Sequence, residues 1–174
     1  MPLTILLLIT SVAFSFVAWG IVVAWYVKPQ LRGRSRAEAM RPLLVLHSIR
    51  FVGLSFLVPG VASPDLPLAW AGPAAYGDLI AAILALVALV GLRSRLGTPL
   101  VWVFNVWGAA DLLYAFYQAN RMALEPGLLG AGYFIVTVFV PLLLITHGLL
   151  FRLLLSRDIV AAAGVPRSNR NVGG

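Results

Sequence analysis

The run LTILLLITSVAFSFVAWGIVVAWYV, residues 3–27, decides the fold class of this chain. It contains no charged residue, it exceeds the roughly 20 residues that cross a hydrocarbon core, and Lys28 follows it directly. No basic segment precedes it, and its flanking charges lie on the C-terminal side. The pattern therefore predicts an uncleaved transmembrane helix whose N-terminus is outside, rather than a signal peptide.

Four more apolar runs of similar length follow along the chain. Together they predict helices at about 3–27, 42–61, 74–92, 98–118 and 128–155. Pro42 suits the first turn of the second helix. We therefore predict an all-α polytopic membrane protein, a five-transmembrane-helix bundle that forms one domain over 1–165. Residues 166–174 are polar and are predicted to form a disordered cytoplasmic tail.

The composition excludes several classes of protein. Of 174 residues, 61% are hydrophobic and only 11% are charged, against about 25% charged in soluble domains. The lipid bilayer is thus the predicted partner, because a soluble domain of this length could not bury so much apolar surface. The net charge of +7 lies between the apolar runs, which argues against nucleic-acid binding. The absence of cysteine excludes disulfides, thiolate metal sites and cysteine nucleophiles.

The arginines and lysines predict the orientation. Eleven of them fall after helix 1, after helix 3 and at the C-terminus: Lys28, Arg32, Arg34, Arg36, Arg41, Arg93, Arg95, Arg152, Arg157, Arg167 and Arg170. The other side has Arg121 alone. By the positive-inside rule, loops 1 and 3 and the C-terminus are predicted to be cytoplasmic. The basic residues are nearly all arginine, and Ala, Gly and Pro are abundant, which is typical of proteins from GC-rich bacterial genomes. We therefore predict the bacterial inner (cytoplasmic) membrane.

Five ionisable residues lie inside the predicted spans: His47, Arg50, Asp78, Asp111 and His147. Each costs about 2.5–3.5 kcal/mol at the bilayer centre, so each requires a reason. We expect Arg50 and Asp111 to pair near the midplane. His47 and His147 lie at matched depth toward the cytoplasmic side. Asp78 shares a face with small residues and is expected to face the interior, although it could instead be a helix-start carboxylate.

Further polar residues extend this set toward the outside. Asp111, Tyr114 and Gln118 recur at helical spacing on helix 4, and Tyr133 lies on the polar face of helix 5. These residues and Asp78 are predicted to line an outer entrance. Trp70, in the proline-rich segment 62–73, is predicted to lie in a loop at the outer interface. The stretches 47–54 and 104–113 also look motif-like, but we assign them no function.

Three functions are compatible with these residues. The leading prediction is a protein that binds or transports a small molecule, proton or ion through an interior polar site. One alternative is an electron-transfer protein that holds haem b between His47 and His147, although two histidines can also simply hydrogen-bond across helices. The other is an accessory subunit of a membrane complex, in which Arg50 and Asp111 form a structural ion pair. A homo-oligomer is compatible with all three.

Catalysis has little support in the sequence. The chain contains no nucleophile elbow, no HExxH motif, no phosphate-binding loop and no close pair of carboxylates. We therefore expect no catalytic residue and no metal site, and the cofactor question is confined to haem.

Overall fold

The computed structural model describes residues 2–156, which form six helices and no strand. Five helices are long and apolar enough to cross a membrane: α1 (Leu3–Leu31), α2 (Arg36–Leu57), α3 (Leu68–Gly91), α4 (Gly97–Arg121) and α5 (Ile135–Leu155). A short 3-10 helix, Pro126–Gly132, precedes α5. The predictions of an all-α chain and of five helices of spanning length are confirmed. The predicted tail, 166–174, and three of the counted arginines, at 157, 167 and 170, lie outside the described residues.

Helix α2 begins at Arg36 rather than at Pro42, because a capping box starts it. The Ser35 hydroxyl accepts a hydrogen bond from the backbone N–H of Glu38, and the Glu38 carboxylate accepts one from the backbone N–H of Ser35. The prediction of a first-turn proline is therefore wrong, and Pro42 lies inside the helix. From Ser48 to Leu57 the helix tightens into 3-10 geometry, which is unusually long for this type of helix.

Helix α3 also begins earlier than predicted, at Leu68, and this changes the place of Trp70. The indole is 5% exposed, donates a hydrogen bond to the Ala115 carbonyl of α4 at 3.0 Å, and packs edge-on against Phe56. The prediction of Trp70 in an interfacial loop is thus wrong. Prolines in this segment suggested a loop, but Pro67 precedes the helix and Pro73 is accommodated within it.

Helices α2, α3 and α4 form the centre of the bundle, and α1 packs mainly on α5. Two polar contacts attach α1: the Trp19 indole donates to the Val138 carbonyl at 2.9 Å, and the Ser11 hydroxyl lies 3.0 Å from that of Tyr133. Val138 belongs to a π-helical turn, Ile135–Phe139, just before Pro141. Such widened turns leave backbone groups in need of other partners, and Trp19 provides one.

The described interior contains three apolar clusters, and a polar cluster lies between the two larger ones. The smallest, Leu112, Val140 and Leu143, joins α4 to α5. One end of the bundle, which we call the arginine end, carries the loops at 32–35 and 92–96 and the last turn of α5. The half nearest it contains Met40, Leu43, Leu44, Ala85, Ala88, Val101, Phe104, Leu150 and Leu154. The half nearest the opposite end contains Phe56, Ala62, Leu66, Trp70, Ala71, Ala74 and Leu129.

Candidate functional site

Arg50 is the centre of the polar cluster, and its side chain is fully buried. Its Nε donates to Asp78 Oδ1 at 2.7 Å, and Nη2 lies 2.7 Å from the same oxygen and donates to Asp111 Oδ2 at 2.8 Å. Nη1 contacts the Gly108 carbonyl oxygen at 3.0 Å and His147 Nε2 at 3.2 Å. The five N–H groups of the guanidinium therefore meet five acceptor contacts from three helices.

The expected pairing of Arg50 with Asp111 is present, and Asp78 joins it. Asp78 lies well inside α3, which begins at Leu68, so the alternative of a helix-start carboxylate is wrong. Each carboxylate contacts Arg50 through one oxygen only. Within residues 2–156, Asp78 Oδ2 and Asp111 Oδ1 accept no hydrogen bond, although both side chains are only 12% exposed. Two acidic oxygens are thus left unpaired beside a single cation.

The contacts of His147 determine its tautomer. A guanidinium can only donate, so His147 Nε2 must accept from Arg50 and its proton must lie on Nδ1. Nδ1–H then donates to Asn105 Oδ1 at 2.7 Å, and Asn105 Nδ2 returns a bond to the His147 carbonyl at 3.3 Å. Neutral His147 is therefore held between Arg50 and Asn105.

His47 lies directly against His147, with ring centroids 4.1 Å apart, and Phe104 contacts both rings. His47 Nε2 is 3.0 Å from the Thr146 hydroxyl, while its buried Nδ1 has no partner in the described chain. Haem b does not fit here. Two imidazoles that ligate one iron lie on opposite faces of the porphyrin, whereas these rings touch and both nitrogens of His147 are already hydrogen-bonded. The contact instead matches the alternative of histidines that link helices.

Glycines allow the helices to approach at the charged residues. A Cβ on Gly108 would lie 2.6 Å from His147 Cε1 and 2.7 Å from Arg50 Nη1. A Cβ on Gly53 would overlap the Asp78 carboxylate, and one on Gly77 would overlap that of Asp111. Each helix of the centre thus presents a glycine where a neighbour's charged side chain must fit, as small residues do in membrane bundles.

A cavity of about 90 Å³ runs from the two carboxylates toward the opposite end. Three aromatic side chains line it, from Phe56, Trp70 and Phe116, and small side chains such as Ala74 and Ala115 leave the space open. The remaining lining residues are Leu8, Asp78, Asp111, Leu112, Ala119, Leu124, Pro126, Leu129, Ile135, Val136 and Val140. The cavity is therefore an apolar chamber with an acidic floor.

The other predicted entrance residues fall at different places. Asp111, Tyr114 and Gln118 line a narrow cleft next to Trp70. In it, Gln118 Nε2 donates to the Tyr114 hydroxyl, and Gln118 Oε1 has no partner among the described residues. Tyr133 lies apart from them, hydrogen-bonded to Ser11 of α1. The structure therefore brings together six of the eight predicted site residues in one cluster or its adjoining cleft, leaving His47 beside the cluster and Tyr133 away from it.

Sequence reasoning missed Asn105, Gly108, Thr146 and Trp70. A signal for two of them was present, since the motif-like stretch 104–113 contains Asn105, Gly108 and Asp111 on successive turns of α4. The stretch 47–54 contains Arg50 and Gly53, and the two stretches meet in the cluster. In both stretches a charged residue lies three positions from a glycine, and this spacing indicates where the helices approach closely.

The chain belongs to the family described as Domain of unknown function (DUF8737), whose model matches residues 7–155. No curated protein and no solved structure matches it.

Proposed function

Starting from membership of this family, we propose that the chain is an integral membrane protein that binds a small molecule inside its helix bundle. One observation carries the proposal: the cavity ends on Asp78 and Asp111, each with an oxygen that has no donor in the described chain. Convergent polar groups at the floor of an apolar cavity are typical of ligand sites. Ionisable residues within spans are likewise functional candidates by default.

The proposed orientation has the N-terminus outside and the C-terminus in the cytoplasm, in a bacterial inner membrane. Support comes from the arginine end, where Lys28, Arg32, Arg34, Arg36 and Arg152 line one groove. Arg121 is at the other end of α4. The positive-inside rule then makes the arginine end cytoplasmic. The cavity accordingly lies in the outer half of the membrane.

Binding from the outer side agrees with the tight packing of the half of the interior near the arginine end. Leu44, Phe104 and Leu150, at the level between the polar cluster and the arginine end, are fully buried. They separate the cavity from the cytoplasmic side in this conformation. Transport of the ligand would require these side chains to move, so the proposal here is binding.

Single-cysteine labelling tests the proposal, because the natural chain contains no cysteine. Ala115→Cys places a thiol in the cavity wall, and Ala85→Cys, at a fully buried position in the other half, is the control. We expect a water-soluble trimethylammonium-ethyl methanethiosulfonate to modify Ala115→Cys and not Ala85→Cys. An unreactive Ala115→Cys would contradict the proposal.

Charge provides a second readout in the same variant. At a pH high enough to ionise both carboxylates, the cationic reagent should react about tenfold faster than the anionic sulfonatoethyl methanethiosulfonate, because two negative charges then face the single guanidinium. Adding Asp111→Asn should remove this preference while the variant still folds. Equal rates for the two reagents before and after that change would mean that Asp111 does not act on the cavity.

A structural role is the second candidate, and one observation favours it. Every N–H group of Arg50 is used inside the bundle, as expected of a residue that locks three helices together. An accessory subunit of this kind would show an unreactive Ala115→Cys. In that case Asp111→Asn would change stability and nothing else.

A further inference from the structure

The charges at the floor of the cavity do not balance. Asp78 on α3 and Asp111 on α4 face one guanidinium, Arg50 on α2. From α5, His147 accepts a hydrogen bond from Arg50 and is therefore neutral. Tyr114, also on α4, shares the adjoining cleft with Asp111, and from α1 only apolar Leu8 reaches the cavity. With both carboxylates ionised, the site would carry one uncompensated negative charge, which is costly in a buried position.

The hydrogen-bonding groups of the site also favour a cationic ligand. Asp78, whose side chain is 12% exposed, lines the cavity and keeps Oδ2 without a donor in the described chain, and Asp111 keeps Oδ1. In the adjoining cleft, Gln118 Oε1 also has no donor within residues 2–156. These three unpaired groups are all acceptors, so a complementary ligand must supply N–H or O–H donors and a positive charge.

The walls restrict the chemistry of that cation. Calcium and magnesium require about six or more oxygen ligands, which two carboxylates among apolar side chains do not provide. Phe56, Trp70 and Phe116 instead offer aromatic surface, which attracts organic cations. The small volume of the cavity, about 90 Å³, favours a small ligand.

We infer that the cavity binds a small primary alkylammonium ion, with its N–H groups on Asp78 and Asp111 and its alkyl part against the aromatic walls. This inference rests on the proposed function and names its ligand class. The empty site neutralises its excess charge by holding one proton on one of the two carboxylates. The entering ammonium ion replaces that proton, which leaves to water, so the charge of the site is the same before and after binding.

Calorimetric titration of the detergent-purified full chain with ethylammonium chloride tests the inference. Titrations at pH 5 in two buffers of different ionisation enthalpy count the protons released, and we expect about one per ion bound. Propanol, similar in size but uncharged, and tetramethylammonium, which has no N–H group, should bind at least about tenfold more weakly. Sodium chloride at the same concentration should give no competition.

Variants assign the binding to these residues. Asp78→Asn and Asp111→Asn should each weaken ethylammonium binding at least about tenfold. Asp65→Asn, which changes an exposed loop carboxylate, should leave it unchanged. If a cavity variant fails to fold, protection of Ala115→Cys from the cationic thiol reagent by ethylammonium gives the same information without changing either carboxylate.

The outcomes separate this inference from the proposed function. A reactive Ala115→Cys with no ethylammonium binding would overturn the inference and leave the proposed function standing. An unreactive Ala115→Cys without ethylammonium binding would overturn both. Equal binding of propanol or tetramethylammonium, or binding without proton release, would also overturn the inference.

Discussion

The two halves of the bundle interior both contain buried polar groups, yet they differ in how those groups are used. Toward the arginine end, His47, Thr146, Asn105 and His147 bond to one another and to backbone among packed apolar side chains, and His47 Nδ1 alone among their ring and amide nitrogens has no partner in the described chain. On the other side of Arg50, Asp78 and Asp111 border a cavity and keep unpaired oxygens. A buried polar residue by itself does not mark a site; unfilled space next to unpaired groups does.

The difference follows from side-chain size. Large residues such as Met40, Leu44 and Phe104 fill the half near the arginine end. In the other half, Ala74 and Ala115 face the gap between aromatic rings. Aromatic rings are rigid and cannot collapse onto small neighbours, so the volume stays open.

The largest effect should follow from removing the residue that joins the two halves. Arg50→Met leaves two buried carboxylates without their cation, and breaking such a pair costs about 3–5 kcal/mol. Unfolding of the detergent-solubilised protein by denaturant should show this loss. Arg95→Met, at an exposed position, should change the free energy of unfolding little. A loss no larger than that of Arg95→Met would mean that Arg50 is dispensable for stability.

The same substitution in each half tests whether one is full and the other open. Ala85→Leu adds atoms to a fully buried position and should destabilise the protein by about 1–3 kcal/mol, as overpacking does. Ala115→Leu extends into the cavity and should change stability by less than about 1 kcal/mol. Similar losses for both, measured by denaturant unfolding, would remove the distinction between the halves.

Glycine substitutions probe the close approach at the cluster. In Gly108→Ala the new methyl group would press on His147 and Arg50, with an expected cost of about 1–3 kcal/mol. The matched change Gly148→Ala, in α5, meets nothing within 4 Å and should be neutral or stabilising by up to about 1 kcal/mol. Equal thermal stability of the two variants would contradict this account of the helix packing.

The smallest effect is expected in the half of the interior near the arginine end. Asn105→Ala removes the acceptor of the His147 Nδ1–H, at an expected cost of about 1–2 kcal/mol. Nitrogen chemical shifts of labelled histidine should show the Nδ1–H tautomer in the natural protein and a changed signal in the variant. Asn120→Ala, at an exposed position, is the control. A natural protein with its proton on Nε2 would contradict the hydrogen bond from Arg50.

Helix number and class followed from the sequence because apolar runs of spanning length can hardly form anything else. Helix starts were less accurate. The capping box at Ser35 starts α2 at Arg36, before the predicted start at Pro42. The prolines near the start of α3 suggested a loop where the chain is helical. The pairing of Arg50 and Asp111 was predictable, since a charge within a span needs a partner. The contact of Asp78 with Arg50 was not predictable with the same force, because it depends on how α3 is rotated about its axis.

The sequence by itself determined that this chain forms five long apolar helices with a few charges inside them, because hydropathy and length are properties of each segment alone. Only the tertiary structure decided which helices touch, that the rings of His47 and His147 lie directly against each other, and that a cavity ends on Asp78 and Asp111, each of which keeps one oxygen without a donor in the described chain. Those features depend on how glycines, alanines and aromatic rings from different helices fit together. Such a fit is a property of the assembled bundle and cannot be read from any one of its segments.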